Sequence, residues 1–206
     1  MRTLLLVLTL LVAAATPAWA AATPLEAGTP LSSSTGLRCS NGFNVRGHLL
    51  VPPGCATLGG IVRGPGGVDV GPVVAVRSTY SVVRIADTSA WVQRPTIAGY
   101  TGTTIRGSAE TPVGGQVCAA GRTTGVRCGT VLAKNVTVDF PTGVVYGLTR
   151  TNLCVEPGDQ WAPLFTGSQA QGHVLGGSGN CTTGGTSYFY PINRILAEGG
   201  FTLVTG

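Results

Sequence analysis

Charged side chains are scarce in this sequence, and lysine is almost absent. Only 10% of the 206 residues are Asp, Glu, Lys or Arg, and Lys134 is the one lysine. The arginines are scattered along the chain and do not form a cluster interleaved with aromatic residues. Binding to a nucleic-acid backbone requires such a basic surface, so we expect no nucleic-acid partner.

Long apolar runs and metal-binding motifs are missing as well. After residue 20, no apolar stretch approaches the roughly 20 residues that a membrane-spanning helix needs, so we expect no membrane insertion. The sequence has no Cys-x-x-Cys pair, and only His48 and His173 could add imidazole ligands. Zinc sites depend on such closely spaced cysteines and histidines, so we expect no metal and no other cofactor.

The one long apolar run lies at the N-terminus, over residues 4–15, and follows a single basic residue, Arg2. Small residues then occupy the positions that signal peptidase reads. This pattern predicts a signal peptide over residues 1–20, cleaved after Ala20 or Ala22, and a secreted, extracellular protein. Without Arg2, twelve basic residues face eight acidic ones, which gives a net charge of +4.

Glycine is abundant, at 32 residues, which favours an all-β protein with many tight turns. The length after the signal peptide fits one domain, or two small β-barrels that share a core. All six cysteines follow the signal peptide, and an even number in an exported protein indicates disulfides. Spacing alone leaves all fifteen pairings open.

Local patterns predict the elements at the two ends of the exported chain. Residues 21–37 are rich in Pro, Gly, Ser and Thr, so we expect an irregular lead-in, too short for a folded pro-region. Apolar and polar residues alternate over residues 39–46, as in a half-buried strand. Ile192, Ile195 and Leu196 recur at helical spacing and predict a short C-terminal helix that two glycines stop.

Residues 154–163 read Cys-Val-Glu-Pro-Gly-Asp-Gln-Trp-Ala-Pro. This stretch resembles the nucleophile loop of the alpha-lytic protease and streptogrisin family, which are secreted bacterial chymotrypsin-like (S1-type) serine proteases with Gly-Asp-Ser-Gly-Gly-Pro there. Gly158 and Asp159 match, Gln160 stands at the nucleophile position, and Trp161 replaces a glycine. The resemblance implies an oxyanion-binding loop over these positions, with the N–H groups of Gly158 and Gln160 as donors.

The other two triad positions also differ from the family. The Cys-Ser-Asn-Gly-Phe-Asn-Val stretch from residue 39 resembles the family strand that leads into Thr-Ala-Gly-His-Cys. Here residues 51–55 read Val-Pro-Pro-Gly-Cys, so Gly54 stands at the histidine position. In residues 78–83, Thr79 stands at the aspartate position. The resemblance therefore implies that the catalytic triad is not intact.

Two further positions extend the resemblance. Leu175, Gly176 and Gly177 match the family strand that pairs with the substrate backbone, and Leu175 replaces a serine that supports the catalytic aspartate. The family also has an arginine beside the first hairpin cysteine, where this chain has Ala119. That arginine pairs with the buried aspartate of the nucleophile loop, so we expect Asp159 to be unpaired.

The resemblance covers residues 38–206 and implies two packed Greek-key six-stranded β-barrels with a short C-terminal helix. It also implies that residues 38–206 form a single domain that contains both barrels. The three local disulfides of the family would be Cys39–Cys55, Cys118–Cys128 and Cys154–Cys181.

These features predict a secreted, monomeric pseudoprotease that binds peptides or proteinaceous protease inhibitors through the old substrate cleft. The alternative is a secreted serine-type hydrolase with residual or non-standard activity. A third hypothesis, a decoy protein that binds protease inhibitors, overlaps with the pseudoprotease hypothesis. We interpret His48 and His173 as structural or surface histidines and Trp161 as a packing or pocket-plugging residue.

Overall fold

The structure, a computed structural model, describes residues 21–206. The predicted signal peptide lies outside the described residues. Short strands joined by turns make up most of this part of the chain. In chain order the strands are β1 (Thr23–Ala27), β2 (Pro30–Ser33), β3 (Arg38–Ser40), β4 (His48–Val51), β5 (Ile61–Arg63), β6 (Asp69–Val76), β7 (Ser81–Arg84), β8 (Trp91–Ile97), β9 (Tyr100–Thr104), β10 (Gln116–Gly121), β11 (Gly125–Phe140), β12 (Gly143–Thr151), β13 (Pro163–Thr166), β14 (Gln169–Asn180) and β15 (Gly184–Pro191).

Two six-stranded units account for twelve of these strands. In the N-terminal half the strand order is β3-β2-β5-β6-β7-β4, and in the C-terminal half β10-β11-β12-β15-β14-β13 closes into a barrel. A smaller sheet, β1-β8-β9, joins them, with β1 parallel to β8. The all-β fold class with two six-stranded units is confirmed, whereas the three-stranded sheet was not predicted.

The prediction of an irregular lead-in over residues 21–37 is wrong. This segment contains β1 and β2, and its Leu25 and Leu31 are buried in the core of the N-terminal half. Pro30 starts β2, a position where a strand tolerates proline. The partners of β1 lie almost 70 residues away in β8, so local composition could not reveal the pairing.

The strand predicted over residues 39–46 is mostly absent, because only β3 remains of it. Two buried asparagines turn the backbone after Ser40. The Asn41 amide donates to the Glu26 carbonyl at 2.9 Å, and the Asn44 amide donates to the Leu25 and Arg94 carbonyls. These side chains satisfy backbone groups that a ladder would otherwise pair.

One apolar cluster crosses between the two halves of the molecule. Phe43, Leu50 and Tyr80 from the N-terminal half pack with Trp161 and Phe165 from the C-terminal half. Burial of these large side chains stabilises the pairing of the two halves by the hydrophobic effect. The nucleophile-loop residues lie at this junction.

The predicted C-terminal helix is confirmed as α1 (Ile192–Gly199). Its Ile192 and Ile195 are buried, and Gly200 ends it in the left-handed conformation with φ of +62°. Within residues 21–206, no helix is long and apolar enough to cross a membrane.

Three disulfides staple the fold: Cys39–Cys55, Cys118–Cys128 and Cys154–Cys181. These are the pairs that the family resemblance implies. The first ties β3 to the turn after β4, the second crosses the β10–β11 hairpin, and the third anchors the segment after β12 beside the β14–β15 turn. Each closes a loop within one half of the molecule.

Candidate functional site

The loop between β12 and β13 carries the residues that match a nucleophile loop. It turns at Gly158, whose φ of +103° favours glycine. Asp159 points inward and is 1% exposed, whereas Gln160 is exposed to solvent. The loop therefore presents an amide side chain at the surface and keeps its carboxylate inside.

Asp159 is not unpaired, so that prediction is wrong. Its carboxylate accepts hydrogen bonds from the Thr123 N–H at 2.7 Å, the Thr124 hydroxyl at 2.9 Å and the Glu156 N–H at 3.0 Å. The Thr124 N–H adds a longer contact of 3.3 Å. Neutral donors thus replace the expected arginine, which is a physically adequate way to compensate a buried carboxylate.

The sequence of the β10–β11 turn contains a signal for this network. The β10–β11 turn reads Gly-Arg-Thr-Thr-Gly from residue 121, and its two threonines supply three of the donors. Gly121 permits the approach, since a Cβ there would lie 2.6 Å from an Asp159 oxygen. These neutral donors are not found when only a basic side chain is expected to pair with Asp159.

The side chain of Gln160 is hydrogen-bonded to one of the two expected oxyanion donors. Its Oε1 accepts a hydrogen bond from the Gly158 N–H at 3.0 Å. An amide oxygen of the chain therefore sits where the oxygen of a bound acyl group would accept. An incoming ligand must displace this bond to use the Gly158 donor.

Trp161 fills the junction between the two halves. It adopts a φ of +67°, a left-handed conformation that costs a non-glycine residue roughly 1–2 kcal/mol. Its side chain is 1% exposed, and its ring N–H donates to the Leu50 carbonyl of β4 at 3.1 Å. Burial and this hydrogen bond offset the backbone strain, in agreement with the interpretation of Trp161 as a packing residue.

His173 of β14 stacks on Trp161, with ring centroids 4.4 Å apart and planes inclined by 14°. Its Nε2 accepts the Phe43 N–H at 2.9 Å, while its buried Nδ1 has no partner among the described residues. Gly42 makes room for the stack, because a Cβ there would overlap both rings. Complete burial lowers the pKa of His173 to about 3, so the ring is neutral at physiological pH.

The structure does not bring the three triad-equivalent positions into one cavity. Gly54 is an exposed turn residue with φ of +78° and lines a cavity of about 270 Å³ with Ala56. Gln160 lines a separate cavity of about 350 Å³. Thr79 is buried beside the Tyr190 hydroxyl.

Tyr190 occupies the neighbourhood of Thr79 and is held there by α1. Its hydroxyl donates to Glu198 at 2.7 Å, and the Arg194 guanidinium lies 4.9 Å from its ring centroid. Burial, reinforced by the Glu198 hydrogen bond, raises the pKa of Tyr190 to about 12. This phenol therefore stays protonated and serves as a hydrogen-bond donor.

The strand matched to substrate binding keeps one edge without a partner. β15 pairs with Gly176 and Gly177 on one side. On the other side, pairing ends at Val174, whose N–H donates to the Ala162 carbonyl and whose carbonyl accepts the Trp161 N–H. Within residues 21–206 no strand continues it. The Phe140 ring packs against Gly176, where a Cβ would lie 2.8 Å from it.

His48, the other histidine, packs its ring 6.0 Å from that of Phe201, and its Nδ1 lies 3.1 Å from the Arg46 carbonyl. The described residues contain no group of three or more His, Cys, Asp or Glu placed to bind a metal ion. The site is therefore built from amide, hydroxyl and backbone groups around one buried carboxylate.

Comparison with known proteins identifies the frame in which these residues lie. No protein-family model matches the chain. It is 37% identical over 142 residues to glutamyl endopeptidase 2 of Streptomyces griseus, a match that covers 65% of this chain and 74% of that protein. The chain belongs to the streptogrisin and alpha-lytic protease family of bacterial chymotrypsin-like serine proteases.

Two further relatives support the family assignment. Streptogrisin-C of Streptomyces griseus is 48% identical over 123 residues, which is 59% of this chain and 27% of streptogrisin-C. The chain thus spans about a quarter of that relative. A solved structure of chymotrypsin from Cellulomonas bogoriensis superposes with a TM-score of 0.79 at 36% identity, covering 89% of this chain and all of the other.

We predict that the buried His173 makes the stability of this family member depend on pH. An unfolded histidine has a pKa near 6.5, whereas His173 has about 3 in the fold. Its contribution is therefore fully present above pH 6.5 and is lost as pH falls toward 3. Between pH 6.5 and 5 the free energy of unfolding should fall by roughly 1.5 kcal/mol from this group alone.

Urea unfolding of the wild type, His173→Gln and His48→Gln over that pH range measures this effect. His173→Gln should flatten the pH dependence and His48→Gln should retain it. Equal slopes in all three proteins would contradict the assignment of His173 as a buried neutral group.

We predict that Trp161→Gly destabilises the fold less than Trp161→Ala does. Both remove the stacked ring and its hydrogen bond, which should cost about 3–5 kcal/mol. Glycine recovers about 1 kcal/mol, because it adopts φ of +67° without strain. Urea unfolding of the two variants gives the order, and an alanine variant as stable as the glycine variant would show that this backbone is not strained.

Proposed function

We propose that this member of the family is a pseudoprotease, a secreted protein that binds extended peptides or proteinaceous inhibitors without cleaving them. The observation that carries the proposal is the Gln160 side chain. An amide is not a nucleophile, and its Oε1 accepts the Gly158 N–H at 3.0 Å, the donor that an acyl-enzyme intermediate would need.

The histidines support the same proposal. A histidine that acts as general base needs an accessible imidazole within hydrogen-bond reach of the nucleophile. His173 is fully buried against Trp161, with its pKa lowered to about 3, and His48 packs on Phe201. Gly54, at the position of the family's histidine, has no side chain to move a proton.

The edge of β14 supports peptide binding. Backbone groups beyond Val174 on the side away from β15 have no partner strand among the described residues. An extended peptide can add to such an edge through main-chain hydrogen bonds. Phe140 and Val155 pack against Gly176 and Gly177, so affinity would come more from backbone pairing than from a deep side-chain pocket.

Three disulfides in the described chain, and the secretory pattern of residues 1–20, support an extracellular location for this binding role. Disulfides persist in oxidising compartments and are rare in the bacterial cytosol.

We predict that the purified mature protein neither cleaves fluorogenic peptides nor reacts with a fluorophosphonate probe. Gln160→Ser alone should also be inactive, since no base accompanies the new hydroxyl. Gel fluorescence after labelling measures this, with a streptogrisin as the positive control. Labelling of the wild type that an extended peptide competes away would overturn the proposed inactivity.

We predict that an acetylated tetrapeptide amide binds at the free edge of β14. The peptide carries no charge, so main-chain pairing is the interaction under test. Backbone NMR spectra should show the largest shift changes at residues 175–177. The matched control is the same peptide with N-methyl groups on alternate amides, which cannot pair as a strand; equal binding by both peptides would contradict edge pairing.

A further inference from the structure

A cavity of about 350 Å³ lies against the nucleophile loop, whose Gly158 and Gln160 line it. Its walls come from the β1–β2 turn, the β8–β9 turn, the β10–β11 hairpin, and residues 158–160, 162 and 163. Gly176 and Gly177 of the proposed peptide-binding strand do not line it. It is therefore a site distinct from this part of the β14 edge.

We infer that this cavity binds a compact organic carboxylate with an apolar body. Its volume lies at the lower end of the range for small-molecule sites, which suits a ligand of about the size of an acylated amino acid. This inference does not depend on whether the chain is catalytically inactive.

The apolar part of the cavity accounts for the body of the ligand. Ala98, Ala162 and Pro163 form part of the wall, and the half-buried Tyr100 adds an aromatic ring. Tyr100 is itself fixed by Phe165, with ring centroids 5.1 Å apart. A fixed aromatic wall favours a planar or branched apolar group.

The polar groups of the cavity are mainly hydrogen-bond donors. Arg122 lines it and forms no ion pair among the described residues. Gln160 uses its Oε1 on the Gly158 N–H, and its Nε2 has no protein hydrogen-bond partner in the described chain. Ser40 is a third polar residue of the lining.

The one carboxylate in the lining, Asp159, does not act as an open acceptor. Both its oxygens are hydrogen-bonded, to Thr123, Thr124 and Glu156. A cationic ligand would find its lone pairs occupied, whereas an anion would find the Arg122 guanidinium and the Gln160 amide free. Charge-assisted hydrogen bonds from a guanidinium to a carboxylate are among the stronger ones.

The hairpin provides a matched pair of arginines for the test. Arg122 lines the cavity and Arg127 does not, although both are exposed and lie five positions apart in the β10–β11 region. Neutralising either one changes the net charge of the protein equally. A loss of affinity that is specific to Arg122 therefore reports the cavity and not the overall field.

The experiment titrates N-acetylphenylalanine into the wild type, Arg122→Gln and Arg127→Gln, with N-acetylphenylalaninamide as the uncharged control ligand. Calorimetry should show binding of the carboxylate to the wild type and to Arg127→Gln. Affinity should fall about tenfold or more in Arg122→Gln and for the amide ligand. NMR shift changes should centre on Tyr100, Ala162 and Gly158.

Three results would overturn the inference: no binding of the carboxylate, equal affinity for the carboxylate and the amide, or an equal loss of affinity in both arginine variants. Shift changes confined to residues 175–177 would also overturn it, because the probe would then lie in the peptide-binding edge. The folded state of each variant is checked by its NMR spectrum without ligand.

Discussion

The stacked pair of Trp161 and His173 is the contact on which the arrangement of the site depends. Trp161 reaches across to the Leu50 carbonyl of β4, and His173 accepts the Phe43 N–H. Each ring thus belongs to the C-terminal half and makes its polar contact with the N-terminal half. Position 42 must be glycine for this stack to form, since no side chain fits beside the two rings.

The stack also determines what the nucleophile loop can present. With Trp161 held inside and Asp159 bound by the β10–β11 turn, the residue between them, Gln160, is left at the surface. Its side chain then folds back onto the Gly158 N–H. The self-occupied donor is therefore a local consequence of two buried neighbours, each fixed by contacts far away in sequence.

The fold class could be predicted from the sequence because family motifs and cysteine spacing recur over most of the chain. The C-terminal helix followed from Ile192, Ile195 and Leu196 alone. β1 and β2 were missed because their own composition is typical of loops, and because β1 pairs only with the remote β8. The donors to Asp159 were missed because a basic partner was expected, whereas the donors are one threonine hydroxyl and backbone N–H groups. The stack of His173 on Trp161 was missed because it joins residues twelve positions apart, a spacing that no strand or helix periodicity predicts.

At position 161, the stability of the fold and the requirements of an acyl-transfer loop favour different residues. An acyl-transfer loop needs small residues after the nucleophile and open donors, whereas here the first of those positions holds a large buried ring. Returning Trp161 to glycine would relieve its backbone but would remove a stack and a hydrogen bond that join the two halves. Restoring the Gly158 donor would require a change at Gln160 as well. Converting this loop into one with a small residue at position 161 and an open Gly158 donor thus requires coupled changes, the first of which weakens the fold.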